Sequence, residues 1–137
     1  MTIKLNREMI KNIIKQYYQR FYNMEINVTI KATKDCVGYY EEEGCLIEIL
    51  AKGQMSLAGN TYPFEETITK EKLEEICKEM LALEEMEVRY ISYDSGLTTS
   101  TEGYGLGEHT VKKAYFSGID VDVMPMNQSR NLMKITH

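Results

Sequence analysis

Near the start of the chain Met9, Ile10, Ile13, Ile14, Tyr17 and Phe21 recur at helical spacing, while Lys11, Lys15, Gln19 and Arg20 lie largely off that stripe. The pattern predicts a helix over about 6–22. Asn6 is placed to cap it, and Leu5 with Ile10 has the spacing of a hydrophobic staple. From Glu25 the period changes to two. Ile26, Val28, Ile30 and Ala32 alternate with Asn27, Thr29, Lys31 and Thr33, as expected of a strand with one apolar face.

Lys34 to Gly44 breaks the alternation and reads as a loop or wide hairpin turn. Cys45, Ile47, Ile49, Ala51, Met55 and Leu57 then mark a second strand, interrupted by Leu46 and Leu50 on the other face. A tight turn centred on Gly59 and Asn60 leads into a third strand. In that register Leu57 faces Tyr62, Met55 faces Phe64 and Ala51 faces Ile68. Pro63 cannot donate to a ladder, which makes this third strand an edge.

Thr69 caps a second helix running to about Glu84, with Leu73, Ile76, Cys77, Met80 and Leu81 on one stripe and Ile68 spaced to staple Leu73. Val88 to Tyr93 and Val111 to Val123 read as two more strands, with Tyr115, Ile119, Val121 and Val123 on one face of the last. The order is α-β-β-β-α-β-β. It implies an α+β fold: an antiparallel sheet of about five strands with two helices packed on one face. Residues 1–124 form a single domain on this reading, and 125–137, where periodicity fades, are expected to be a mobile tail.

The 137 residues suffice for one core, and 43% hydrophobic with 27% charged residues is ordinary globular composition. Sixteen basic against 21 acidic residues give a formal charge of −5, which disfavours nucleic acid as a partner. Cys36, Cys45 and Cys77 cannot all pair. No leading apolar run reads as a signal peptide, and no stretch approaches the length of a membrane span, so a soluble chain in a reducing cytoplasm is expected, with no membrane partner.

The segment DSGLTTSTEGYGLGEHT, Asp94 to Thr110, concentrates the polar and flexible residues between the last two strands. Asp94, Ser95 and His109 are the residue types of an acid, nucleophile and base, and pairing of the flanking strands is the route by which Ser95 would approach His109. No nucleophile elbow accompanies them, so turn capping by Asp94 and Ser95 with a solvated His109 is the plainer reading. Gly103, Gly105 and Gly107 offer amides for an anion nest, but neither a dinucleotide nor a P-loop signature is present. Tyr104 and Leu106 between those glycines suit a contact surface. Tyr39, Tyr40, Glu41, Glu42 and Glu43 form an acidic, aromatic turn suited to a basic protein partner.

The spacing of Cys36, Cys45, Cys77 and His109 matches no metal site, and no cofactor motif is found. Cys45 and Cys77 fit apolar stripes, and Cys36 is expected to be exposed. The resulting expectation is a small acidic binding or regulatory protein, an inhibitor or accessory factor of bacterial or phage type, acting through 94–110. An alternative is a small-ligand-binding or hydrolytic protein with a pocket around His109, lined by Asp94, Ser95 and Glu108. A third is a module that self-associates through an exposed strand edge into a homo-oligomer.

Overall fold

The computed structural model describes residues 1–37, 42–103, 105–107 and 109–126. In chain order the elements are β1 (Thr2–Asn6), α1 (Arg7–Tyr22), β2 (Ile26–Val37), β3 (Glu42–Leu57), β4 (Asn60–Thr67), α2 (Lys70–Ala82), β5 (Met86–Glu102), a short 3-10 turn (Gly105–Gly107) and β6 (His109–Pro125). The fold is α+β, as the periodicities imply. In place of one sheet of five strands there are two antiparallel three-stranded sheets, β1-β6-β5 and β2-β3-β4.

The strand absent from the sequence reading is β1. Only Ile3 and Leu5 alternate within TIKLN, too short a run to separate from a helix lead-in, yet it pairs along β6 from Thr2 with Asp122 to Asn6 with Gly118. Asn6 then ends the strand and caps the helix, its side chain accepting the Met9 N–H at 2.9 Å. At the far end Asn23 turns left-handed, and the N–H groups of Asn23 and Met24 donate to the Gln19 and Tyr18 carbonyls. This sends the chain straight into β2. Thr69 caps α2 by accepting from the Lys72 N–H at 3.1 Å.

The β3–β4 turn is centred one residue earlier than the sequence suggests. Ala58 and Gly59 both take positive φ, at 52° and 81°, the geometry of a two-residue type I′ hairpin. Leu57 therefore faces Asn60, Met55 faces Tyr62 and Ala51 faces Glu66. The shift is two residues, so each side chain stays on its expected face. Strand β4 is an edge, as Pro63 demands. With Leu57 and Asn60 closing the turn, Gln54 and Pro63 form a non-hydrogen-bonded pair, so the missing N–H falls on the open side.

Strands β5 and β6 also contain irregularities the alternation hides. The register skips Arg89 between Val88 and Tyr90, and skips Ser117 between Asp94/Gly118 and Ser95/Phe116. The second bulge inverts the faces beyond it: Phe116 is buried, and Tyr115, expected on the face of Ile119, is half-exposed. Gly118, at φ 151°, is required there. A Cβ on it would lie 2.0 Å from the Leu5 carbonyl oxygen of β1.

The core lies between the sheets and the helix pair. Ile10 and Ile14 from α1, Leu73, Ile76 and Cys77 from α2, Ile49 and Ala51 from β3, and Ile119, Val121 and Val123 from β6 are almost wholly buried. Each such aliphatic side chain contributes roughly 1.5–3 kcal/mol through burial. Helix α1 packs on β2 and on α2, which in turn packs on β5, so the helices bridge both sheets. Pro125 closes the β6 ladder opposite Met86, and the Met126 N–H donates to the Glu85 carbonyl at 2.9 Å. The first two residues assigned to the tail thus belong to the domain; 127–137 lie outside the described residues.

Candidate functional site

The Asp94–Thr110 segment is chiefly strand. Its residues 94–102 and 109–110 continue β5 and β6 into a two-stranded arm, with Gly105–Gly107 in a 3-10 turn between the strands. The strands do pair, and pairing separates the acid, nucleophile and base. Ser95 stands opposite Phe116 and His109 opposite Glu102, seven ladder steps away, about 23 Å at the usual rise per residue. Asp94, opposite Gly118, is at the Ser95 end. Neither of the two clefts described below is lined by Asp94 or Ser95. Gly103 and Gly105 take positive φ, and Leu106 lies in the 3-10 turn; Tyr104 and Glu108 lie outside the described residues.

The strands flanking the acidic turn pair as well. Lys34 to Val37 and Glu42 to Gly44 are strand, with Val37 opposite Glu42 and Cys36 opposite Glu43. Tyr39, Tyr40 and Glu41 lie outside the described residues. The Cys45 Sγ lies 3.5 Å from the Tyr115 carbonyl oxygen, so the two arms touch near their bases.

A different surface combines depth with exposed apolar area. Along β3 the inward-facing residues Ala51, Met55 and Leu57 become 0%, 38% and 62% exposed toward the hairpin tip. The hairpin outruns the helix that covers it. Tyr22, the last residue of α1, is itself exposed, as are Phe21 beside it and Tyr62 opposite Met55. Between α1 and the hairpin is a cleft of about 270 Å³ lined by Tyr18, Tyr22, Met24, Met55, Phe64, Glu66 and Lys72.

The cleft is walled by rings packed edge-on or tilted against one another. Tyr18 packs against Tyr17, Tyr22 and Phe64 with centroids 5.2, 5.6 and 5.4 Å away. Its hydroxyl donates to Glu66 Oε2 at 2.5 Å. Burial, then this carboxylate, raises the Tyr18 pKa well above the usual phenol value, so it stays a donor at neutral pH. Lys72 Nζ lies 5.3 Å from the Tyr17 centroid and 3.9 Å from Glu75, with its stem along the cleft.

At Met24 the cleft meets an open groove of about 1660 Å³ between the second half of α1, the end of α2 and the β3 segment from Lys52 to Ser56. Its floor includes Ile13, Ile26, Met80 and Leu81, and its walls carry Lys15, Gln16, Gln19, Arg20, Asn27 and Gln54. Strand β2 pairs with β3 only as far as Gly53, so Gln54 to Leu57 have no strand neighbour on that side.

The sequence contains this surface but disguises it. Met55, Leu57 and Tyr62 alternate like core residues, and Tyr22 continues a helical stripe. The available signal was length: β3 runs four residues past its last pairing with β2, more apolar strand than a 16-residue helix covers.

Among the described residues no group of three or more His, Cys, Asp or Glu side chains is arranged to hold a metal ion, and no helix is long and apolar enough to cross a membrane. Comparison with known protein families, curated proteins and solved structures finds no match.

Proposed function

We propose that this chain is a small binding protein, a regulatory or accessory factor rather than an enzyme, and that it holds a protein partner on the apolar surface formed by the end of α1 and the β3–β4 hairpin. The observation that carries this reading is the graded exposure of one strand face, from fully buried Ala51 to Leu57 at 62%. Apolar side chains left outside a core beside an aromatic-walled cleft are the usual anatomy of a contact site. Affinity capture with the wild-type chain and with Leu57→Glu tests it. The reading expects a discrete species retained by the wild type and lost from the variant. Equal retention by both, with both folded, would overturn it.

The Cys45–Tyr115 contact brings the β2–β3 and β5–β6 arms side by side, which supports a second contact region on these arms. Glu42, Glu43 and the carboxylates beside them supply steering for a basic partner. Replacing residues 98–113 by a short turn tests this region. Loss of the captured species despite an unchanged thermal midpoint supports it, and full retention removes it. A captured species that is a second copy of this chain would make the assembly a homo-oligomer.

A further inference from the structure

We propose that the groove running from the α1–α2 wall to the aromatic cleft takes an acidic, apolar-punctuated segment of the partner; the inference rests on the binding surface just described and specifies its chemistry. Among the described residues Lys15, Arg20 and Lys52 make no ion pair, although the chain has 21 acidic residues against 16 basic ones. Several cations outside the groove are engaged, Lys11 with Glu8, Lys72 with Glu75, Lys78 with Glu74, Arg89 with Asp122 and Arg7 with the Ile30 carbonyl, while Lys4 and Lys31, also without an ion pair, lie outside the groove lining. Three cations without an ion pair thus line one groove of an acidic protein.

Glu25 and Glu84 also line the groove, but neither lies within ion-pair distance of the three cations. They leave the lining at a net +1, from three cations less two carboxylates, against −5 for the chain. The amides of Gln16, Gln19 and Gln54 both donate and accept, as a peptide backbone requires. The apolar floor accommodates side chains interspersed with the acids. The cationic part of the groove contains no aromatic ring on which a base would stack, and the rings of the adjoining cleft pack against one another, which disfavours an anionic nucleic acid. The unpartnered stretch Gln54–Leu57 adds a backbone edge for an extended segment.

The test uses three fluorescein-labelled probes on the full chain: a peptide of about twelve residues with glutamates interspersed by leucines, its counterpart with lysine for every glutamate, and an oligothymidylate of similar length. Fluorescence anisotropy at about 0.1 M salt is expected to show the acidic peptide binding at least about tenfold tighter than either other probe. Lys15→Glu/Arg20→Glu/Lys52→Glu is expected to weaken it by about tenfold or more. All three side chains are exposed, so the circular dichroism spectrum should not change. The milder Lys15→Gln/Arg20→Gln/Lys52→Gln variant repeats the comparison if the reversal fails to fold. No binding of the acidic peptide, equal binding of both peptides, or tighter binding of the oligothymidylate would each overturn the proposal. Those outcomes concern charge alone; capture with Leu57→Glu still judges the apolar surface by itself.

Discussion

The hydroxyl of Tyr18 donates to the carboxylate of Glu66, joining the C-terminal half of α1 to the edge strand β4 across 48 residues of sequence. Among the described residues no other side-chain hydrogen bond joins α1 to the hairpin, so this one ties the two walls of the cleft together. Tyr18→Phe keeps the ring packing and removes the donor. Urea unfolding should show a loss of about 1–2 kcal/mol, near the value of a charge-assisted hydrogen bond that is partly solvated. Glu66→Gln retains an acceptor and should cost less. Equal stability of Tyr18→Phe and wild type would show that packing alone sets the cleft.

Gly118 is the position most sensitive to a single methyl group. An alanine Cβ there would lie 2.0 Å from the Leu5 oxygen, on a backbone at φ 151° that L residues rarely adopt. Gly118→Ala should cost more than about 2 kcal/mol, or detach β1 from β6. Ser117→Ala, at the exposed bulged residue, should fall within about 0.5 kcal/mol of wild type. Hydrogen exchange of the Val123 amide, which donates to Met1, reports detachment directly.

The register and bulges show where the sequence was readable. Both helix caps and all the long apolar runs were legible, because Asn6, Thr69 and the two stripes express purely local physics. The turn at Ala58 was not, since a non-glycine residue at φ 52° carries no compositional mark. The skip at Ser117 was equally silent, and it exchanged Tyr115 for Phe116 on the buried face. The strands on both sides of 103–108 were longer than they looked, because Thr98, Thr99, Ser100 and Thr101 are as common in turns as in ribbons. The apolar surface stayed hidden for another reason: alternation tells which face is apolar, not whether anything covers it.

Stability should fall at alkaline pH. Burial raises the Cys77 thiol to about 12 from 9.0, and burial likewise raises Tyr17, Tyr18 and Tyr93 above the ordinary phenol value. Each folded-state pKa exceeds its unfolded value, so the unfolded chain releases its protons first as pH rises. The Cys77 contribution is present in full below pH 9.0 and is lost as pH climbs toward about 12. Thermal midpoints should be flat to pH 9.0 on this account and then decline. In a Cys36→Ser/Cys45→Ser background, thiol reagents at neutral pH should label Cys77 only after unfolding. Rapid labelling of the native chain would contradict its burial.

The most direct test of the account places a photo-crosslinking amino acid at position 57 in cells that express the chain, with position 87 on β5 as the exposed control. The account predicts a discrete crosslinked product from position 57, none from position 87, and loss of the product when Tyr22→Ala and Met55→Ala are added. Absence of a product at 57, or one that survives both substitutions, would contradict the assignment of the hairpin end as the partner surface.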